Sequence, residues 1–531
     1  MKKRWHDFVL RCIPLVICFV LMTVDVFSQV TLAKLSVGGW AYRGLLAFCW
    51  GGALGSLAFI LGRCSRWIYF PLFLFLLLNG IAETYVRWQF GCNYCGDWIL
   101  ILQASSPAEL YNYWCENKWL LMGIFVALSV AAIIVVKVTW LATYPKFSMR
   151  NIVLGVIFLL PMVIFSWVGH YPKGHVFGAA IFHRVVTDTF ANISMFSDLG
   201  TVVREPKGLD DVQLTVPLDQ APTCVIVIGE SATRNSFGIY GYERDTTPYL
   251  SSIKDDLQIF TDLVGVWNNT PPAVRFLFTG ATAEDKVHAR MMIAQAVKKA
   301  GYPQTFVSNQ GRWGSMNNVI TLIFNSADQC VFLEDQQLSK PYYDDAMLPY
   351  LKKALADRPT SGQVVYLHQV GSHFPFKGLY PKKRTVFTGG RTIDHYDNTV
   401  CLTDYFIGEI INELKALHRP AMLFYVSDHG DTPRAKSWRQ SNDLDLWELP
   451  MFVWFSEEYK RRFPDTVRAV RASLSLPLQS DQILPGLLLM LQVNGWSDSM
   501  SEKCFLNPDF VPRQCRLIKN WSEPYDCGKH Q

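Results

Sequence analysis

Five long apolar runs crowd the first third of the chain, at Cys12–Phe27, Gly44–Leu61, Trp67–Ile81, Trp119–Val136 and Ile152–Val168. Each approaches the ~20 residues that a helix needs to cross a hydrocarbon core, so the pattern predicts five membrane-spanning helices. The first run could be a cleaved signal, given Met1-Lys2-Lys3-Arg4. Yet Val26-Phe27-Ser28-Gln29 offers no small-x-small cleavage site and four further runs follow, which points to an uncleaved anchor. Lys2, Lys3, Arg4, Arg11, Arg63, Arg66, Lys146 and Arg150 fall in connections on one side, which the positive-inside rule makes cytoplasmic. An odd number of spans then puts everything after Val168 on the other side.

Beyond that point the texture changes. Residues 171–220 are mixed and polar with interspersed aromatics, which reads as a juxtamembrane linker. From Thr223 onward, short β-branched runs alternate with segments of helical period, the pattern of a mainly parallel sheet covered by helices. The expected organisation is a transmembrane domain over 1–170, a linker over 171–220 and an α/β domain over 221–531.

Composition agrees with two unlike parts: 531 residues, 50% hydrophobic and 14% aromatic, are too many for one domain and too apolar for a wholly water-exposed one. The net charge of +5 is spread along the chain without a basic stripe, which argues against a nucleic-acid partner. Thirteen cysteines include Cys92 and Cys95, a lone CxxC better read as a structural disulfide than as a redox or metal motif. Cys224, Cys330, Cys401, Cys504, Cys515 and Cys527 fall in the α/β part, where an oxidising compartment would permit disulfides.

The chemistry lies in what the apolar runs lead into. Cys224–Ile228 ends at Gly229-Glu230-Ser231, Thr305–Val307 at Ser308-Asn309-Gln310, Val364–Leu367 at His368 and then Gly371-Ser372-His373, and Met422–Val426 at Ser427-Asp428-His429-Gly430. In open α/β sheets the ligand crevice lies beyond the carboxyl ends of the strands, so four strands would deliver these groups to one rim. Carboxylate and imidazole without thiolate suit zinc or a harder divalent ion. Any one such strand end is more often a capped turn; their joint occurrence makes the case. A hydroxyl candidate stands in Asn269-Thr270-Pro271-Pro272, with Thr270 where a helix cap would sit and Pro271 at the first helical position. The start of that helix would welcome an anionic phosphoryl group.

The stretches Val227–Arg234 and Tyr240–Pro248, with Asn269-Thr270, His368–His373, Tyr396-Asp397-Asn398 and Ser427–Gly430 in order, resemble the bacterial phosphoethanolamine transferases. That group, of the alkaline phosphatase and sulfatase superfamily, includes enzymes that modify lipopolysaccharide core and lipid A and those of mobile colistin resistance. The resemblance implies an alkaline-phosphatase-like (sulfatase) domain behind five N-terminal spans, in the inner membrane with its catalytic part in the periplasm. It implies one catalytic zinc ion held by Glu230, Thr270, Asp428 and His429, with Thr270 also the residue that carries the phosphoethanolamine. His368 and His373 match family histidines near the substrate phosphate or a second metal, and Asn309 and Gln310 resemble an amide pair at the donor headgroup. The sequence departs from some relatives in having no further histidine between Gly430 and Leu449, which leaves a second ion open.

The expected reaction moves phosphoethanolamine from phosphatidylethanolamine to lipopolysaccharide, at a core-sugar phosphate or lipid A, or to another envelope glycan, with His373 passing a proton to the leaving group. Phosphoglycerol transfer and phosphatase- or sulfatase-like hydrolysis on the same fold remain the alternatives, although a formylglycine sulfatase would need Cys or Ser where Thr270 stands. A non-catalytic envelope scaffold is the reading from a different class.

Overall fold

The computed structural model describes residues 208–283, 291–311, 317–333, 343–434, 444–496, 503–518 and 523–526, together with isolated positions between 67 and 206. The expected spans at 12–168 lie essentially outside the described residues, and among these no helix is long and apolar enough to cross a membrane. Chain contacts divide the molecule into two compact units, Met1–Ile99 with Leu110–Ala191 and Leu100–Glu109 with Asn192–Gln531. The account below concerns the second.

Its centre is an eight-stranded sheet: β1 (Thr223–Gly229), β2 (Leu257–Val264), β3 (Gln304–Ser308), β4 (Gln329–Phe332), β5 (Gln363–His368), β6 (Ala421–Ser427), β7 (Glu448–Phe455) and β8 (Leu478–Gln479). The spatial order is β4-β3-β5-β1-β6-β7-β2-β8. Only β7 runs against the rest, pairing antiparallel with both β6 and β2. The four strands expected from sequence, β1, β3, β5 and β6, are four adjacent parallel strands in the middle of the sheet.

Those four read as unbroken apolar runs because both of their faces are covered. On β1, Cys224, Ile226 and Ile228 enter one core with Val274 and Leu277 of helix α1 (Thr270–Phe278), Val297 of α2 (Ile293–Lys299), Ile323 of α3 (Asn317–Phe324) and Leu487 of α6 (Ile483–Met490). Val225 and Val227 enter the opposite core with Leu351 of α4 (Leu348–Asp357) and Ile407 and Ile411 of α5 (Thr392–Lys415). Each such side chain, once fully buried, stabilises the domain by about 1.5–3 kcal/mol. Rigid packing on both faces fixes where the strands stop.

Register then levels the ends. Ile228 lies opposite His368 on one side and Val426 on the other, and His368 lies opposite Ser308. Glu230, Asn309, Gln369 and Asp428 therefore emerge at one rim, one or two residues past aligned positions. Because β7 is reversed, it brings its beginning to that rim, with Asp445 and Glu448.

Candidate active site

Glu230, Asp428 and His429 meet at the rim, all buried, each offering one ligand atom within 4.8 Å of the others. His429 Nε2 lies 3.5 Å from Glu230 Oε1 and 3.5 Å from Asp428 Oδ2. Thr270 Oγ1 donates to Glu230 Oε2 at 3.0 Å and sits 3.4 Å from His429 Nε2. Thr270 is the first residue of α1 and Asn269 holds the cap position, one residue off the sequence expectation. The hydroxyl therefore stands at the helix start, where Pro271 and Pro272 have no N–H and Ala273 N–H donates to the Asn269 carbonyl at 3.2 Å, so the Thr270 N–H is the one amide of that turn left for a ligand.

Local geometry holds each group. Ser231 adopts the left-handed region, with φ 55. Its N–H points to Asp428 Oδ1 at 3.1 Å and its hydroxyl donates to Glu230 Oε1 at 2.6 Å, while its carbonyl accepts from Tyr396 at 2.9 Å. Such strain in a non-glycine residue persists only where the surroundings over-determine it. His429 N–H adds a second bond to Asp428 Oδ1 at 2.7 Å. His429 Nδ1 lies 2.8 Å from the Gly430 carbonyl. A carbonyl can only accept, so Nδ1 carries the proton, and in the neutral ring Nε2 turns its lone pair toward the carboxylates.

Two carboxylates share this buried space, and among the described residues no arginine or lysine pairs with either. Burial opposes the charge on Glu230, yet His429, His373 and the Ser231 hydroxyl hold its carboxyl down at about 2. Asp428 is driven the other way, well above the ordinary carboxylate range, by burial and then by the negative Glu230 beside it. Its Oδ2 is buried with no hydrogen-bond partner. Two carboxylate oxygens, an imidazole nitrogen and a hydroxyl oxygen, with one buried oxygen left over, fit a divalent cation.

The remaining expected residues are placed as follows. His368 is buried at the end of β5, with Nδ1 2.9 Å from Ser308 Oγ and Nε2 3.3 Å from Gln310 Nε2. Burial lowers its pKa to about 4, so the ring is neutral. His373 is half-buried on the loop after β5 and is among the groups that favour ionised Glu230. Asn309 donates to Asp344 at 2.9 Å, and Gln310 donates to the Gln369 carbonyl at 2.8 Å.

Sequence reading missed Asp344. Buried, it accepts from Val370 N and Gly371 N at 2.9 Å each, from Asn309 Nδ2 at 2.9 Å and from Gln369 Nε2 at 3.2 Å, fixing the turn that leads to His373. That turn presses on the metal-binding loop. Gly371 has φ +54, and a Cβ there would lie 2.7 Å from the Glu230 carbonyl oxygen, so only glycine fits. No motif announces Asp344; the close approach that makes Gly371 necessary is its one indirect sign.

A family model for the sulfatases matches residues 222–492. The chain belongs to the sulfatase family. Among curated relatives, this sulfatase-family chain is 27% identical over 271 residues to phosphoethanolamine transferase EptC of Escherichia coli (strain K12), covering 46% of each protein. It is 29% identical over 275 residues to phosphoethanolamine transferase CptA of Salmonella typhimurium, covering 46% of this chain and 47% of the relative. The matched region thus spans about half the length of these relatives.

Two solved structures share the fold. The integral membrane lipooligosaccharide phosphoethanolamine transferase A of Neisseria meningitidis superposes with TM-score 0.69 at 17% identity, covering 93% of this chain and 97% of that one. The periplasmic domain of the Escherichia coli EptC protein in complex with Zn gives 0.54 at 21% identity, covering 60% and 96%.

Proposed function

We propose that this sulfatase-family chain is a zinc-dependent phosphoethanolamine transferase, anchored in a bacterial inner membrane by helices within 1–170 and joined by residues 171–220 to a periplasmic catalytic domain over 221–531. The donor is phosphatidylethanolamine and the acceptor is lipopolysaccharide or another envelope glycan. The convergence of Glu230, Asp428 and His429 on the Thr270 hydroxyl carries this reading. The relatives that are themselves phosphoethanolamine transferases support it.

Glu230, Asp428, His429 and Thr270 would hold a single zinc ion. When bound, zinc lowers the proton affinity of the threonine hydroxyl and offsets negative charge gathered at phosphorus. The Thr270 oxygen attacks phosphorus as its proton passes to the Glu230 carboxylate it already bonds, and the bond to diacylglycerol breaks as His373 protonates the departing diacylglycerol oxygen. Of the first three residues of α1 only Thr270 has an N–H, since 271 and 272 are proline, so the helix contributes chiefly the positive end of its dipole to the phosphoryl charge. An acceptor oxygen then attacks the phosphothreonine phosphorus, a hydroxyl acceptor giving its proton to His373, and the bond to the Thr270 oxygen breaks as that oxygen recovers its proton from Glu230. Asp344 keeps His373 in place by fixing the turn before it.

Intact-mass measurement of the purified chain incubated with phosphatidylethanolamine tests the first step. A phosphoethanolamine adduct on Thr270, absent in Thr270→Ala, is expected. An adduct that persists in the alanine variant would remove Thr270 from this role.

A further inference from the structure

Between His373 and Asp394 the chain runs for twenty residues with five cations, Lys377, Lys382, Lys383, Arg384 and Arg391, and no acidic residue. Two of the five are engaged: Arg391 pairs with Asp394 at 3.1 Å, and the Arg384 guanidinium stacks over the Tyr405 ring at 3.2 Å. Lys377, Lys382 and Lys383 are exposed, and none has an ion-pair partner among the described residues. Exposed lysines usually mark only a solvated surface; two further features set this segment apart.

First, both of its ends are tied to the metal-binding loop. Before it, Ser372 N–H donates to the Glu230 carbonyl at 3.0 Å. After it, Tyr396 accepts from Thr233 N and donates to the Ser231 carbonyl, each at 2.9 Å. Lys377 is four residues past His373, a reach of at most about 14 Å.

Second, a buried side chain is spent on holding the segment still. Asn398, wholly enclosed in α5, accepts from Val386 N at 2.8 Å and Phe387 N at 2.9 Å and donates to the Phe387 carbonyl at 2.8 Å. The Arg244 guanidinium lies 3.8 Å over the Phe387 ring and pairs with Asp394 at 2.7 Å and with Asp397.

We infer that residues 374–391 form an acceptor-docking strip beside the active site, on which Lys377, Lys382 and Lys383 engage the phosphate groups of a phosphorylated glycan. The inference rests on the transferase reading and adds where its acceptor is recognised. Lysine ammonium groups act as point charges toward phosphate, without the planar fork that would demand one bidentate geometry. A strip of them tolerates acceptors whose phosphates vary in position. Rim charges of this kind act mainly on capture and on its dependence on salt.

The test uses the full chain in nanodiscs of neutral lipid and in matched discs with added anionic lipid. Two probes are used, purified rough lipopolysaccharide and the same material dephosphorylated, and each is read by binding and by transfer. Lys377→Gln/Lys382→Gln/Lys383→Gln should weaken binding of the phosphorylated probe about tenfold at low salt and remove most of its salt dependence, with KM rising in parallel. The dephosphorylated probe should bind both proteins alike, and Lys353→Gln, whose lysine pairs with Asp357, should match the wild type. Equal binding of the phosphorylated probe by triple variant and wild type overturns the inference, as does a loss that follows the content of anionic lipid in the disc rather than the phosphates of the glycan. The Thr270 adduct, measured on the wild-type chain, reports separately on the transferase reading.

Discussion

Arg516 and Asp428 are both ionisable groups buried to 1% exposure, yet their surroundings are opposite. Arg516 is surrounded by compensation: Nε reaches Asp526 Oδ2 at 2.8 Å, the terminal nitrogens reach Asp262 Oδ1 and Oδ2 at 2.9 and 3.0 Å, and two backbone carbonyls accept at 3.1 Å. Asp428 faces Glu230, a second carboxylate, and keeps one oxygen without a donor. A balanced buried cluster can be explained by the fold alone. One that is short of positive charge among the described residues calls for a bound cation, and it is this imbalance rather than burial that marks the site.

The comparison breaks first at chemistry. Thr270→Ala should lower transfer by on the order of 10⁴-fold or more while leaving the melting temperature near that of the wild type, because the lost methyl and hydroxyl serve the site and not the core. A variant retaining a tenth of wild-type activity would place the nucleophile elsewhere.

Stability supplies the next contrast. Arg516→Met leaves the buried Asp526 without its guanidinium and should cost about 3–5 kcal/mol, read as a large fall in melting temperature. In metal-stripped protein, Asp428→Asn should be neutral or stabilising, since it removes an acid whose ionisation both burial and Glu230 oppose. Equal destabilisation by the two substitutions would erase the distinction drawn here. Zinc readdition sharpens it: at roughly a hundredfold excess over Kd, the wild type should gain about 2.7 kcal/mol and Asp428→Asn much less. A wild-type melting temperature indifferent to chelator and to zinc would count against a metal at Glu230, Asp428 and His429.

Asp404 is an intermediate case, buried with two backbone donors, Tyr249 N and Leu250 N at 2.9 Å, but no ion-pair partner among the described residues. Burial raises its pKa to about 6 against the backbone bonds that lower it. Between the ordinary aspartate value of about 3.9 and that raised value, the folded protein holds a proton that the unfolded chain has lost. Stability therefore falls as pH rises through this window, by at most about 3 kcal/mol from this group, and is flat above it. Asp397, also raised to about 6 mainly by burial, contributes with the same sign. Thermal melts of Asp404→Asn should show a shallower fall between pH 4 and 6; an unchanged slope would mean that Asp404 is ionised throughout.

The site was legible in sequence where topology does the converging. Four apolar runs lying side by side in parallel must end at one rim, so Glu230, His368, Asp428 and His429 could be gathered without knowing any distance. The reversed strand β7, which brings Asp445 and Glu448 to the same rim, left no such sign, because a buried apolar run reads alike in either direction. Asp344 and Asn398 were opaque for a different reason. Each acts on backbone groups far along the chain, and a side chain bonded to another segment's amides leaves no local spacing to recognise. For Arg516 and Asp526 the ten-residue separation carries no period of helix or strand.

Because Asn398 already fixes the backbone at Val386 and Phe387, an arriving glycan meets a surface that need not order itself, and the entropic cost of settling has been met during folding. Arrival and departure are thereby divided between different side chains. If the strip docks an acceptor as inferred, the three lysines govern how often it is captured, and Asn398, which holds Val386 and Phe387, governs how long it stays. Asn398→Ala should accordingly shorten residence on the strip while leaving the capture rate, and its response to salt, nearly untouched.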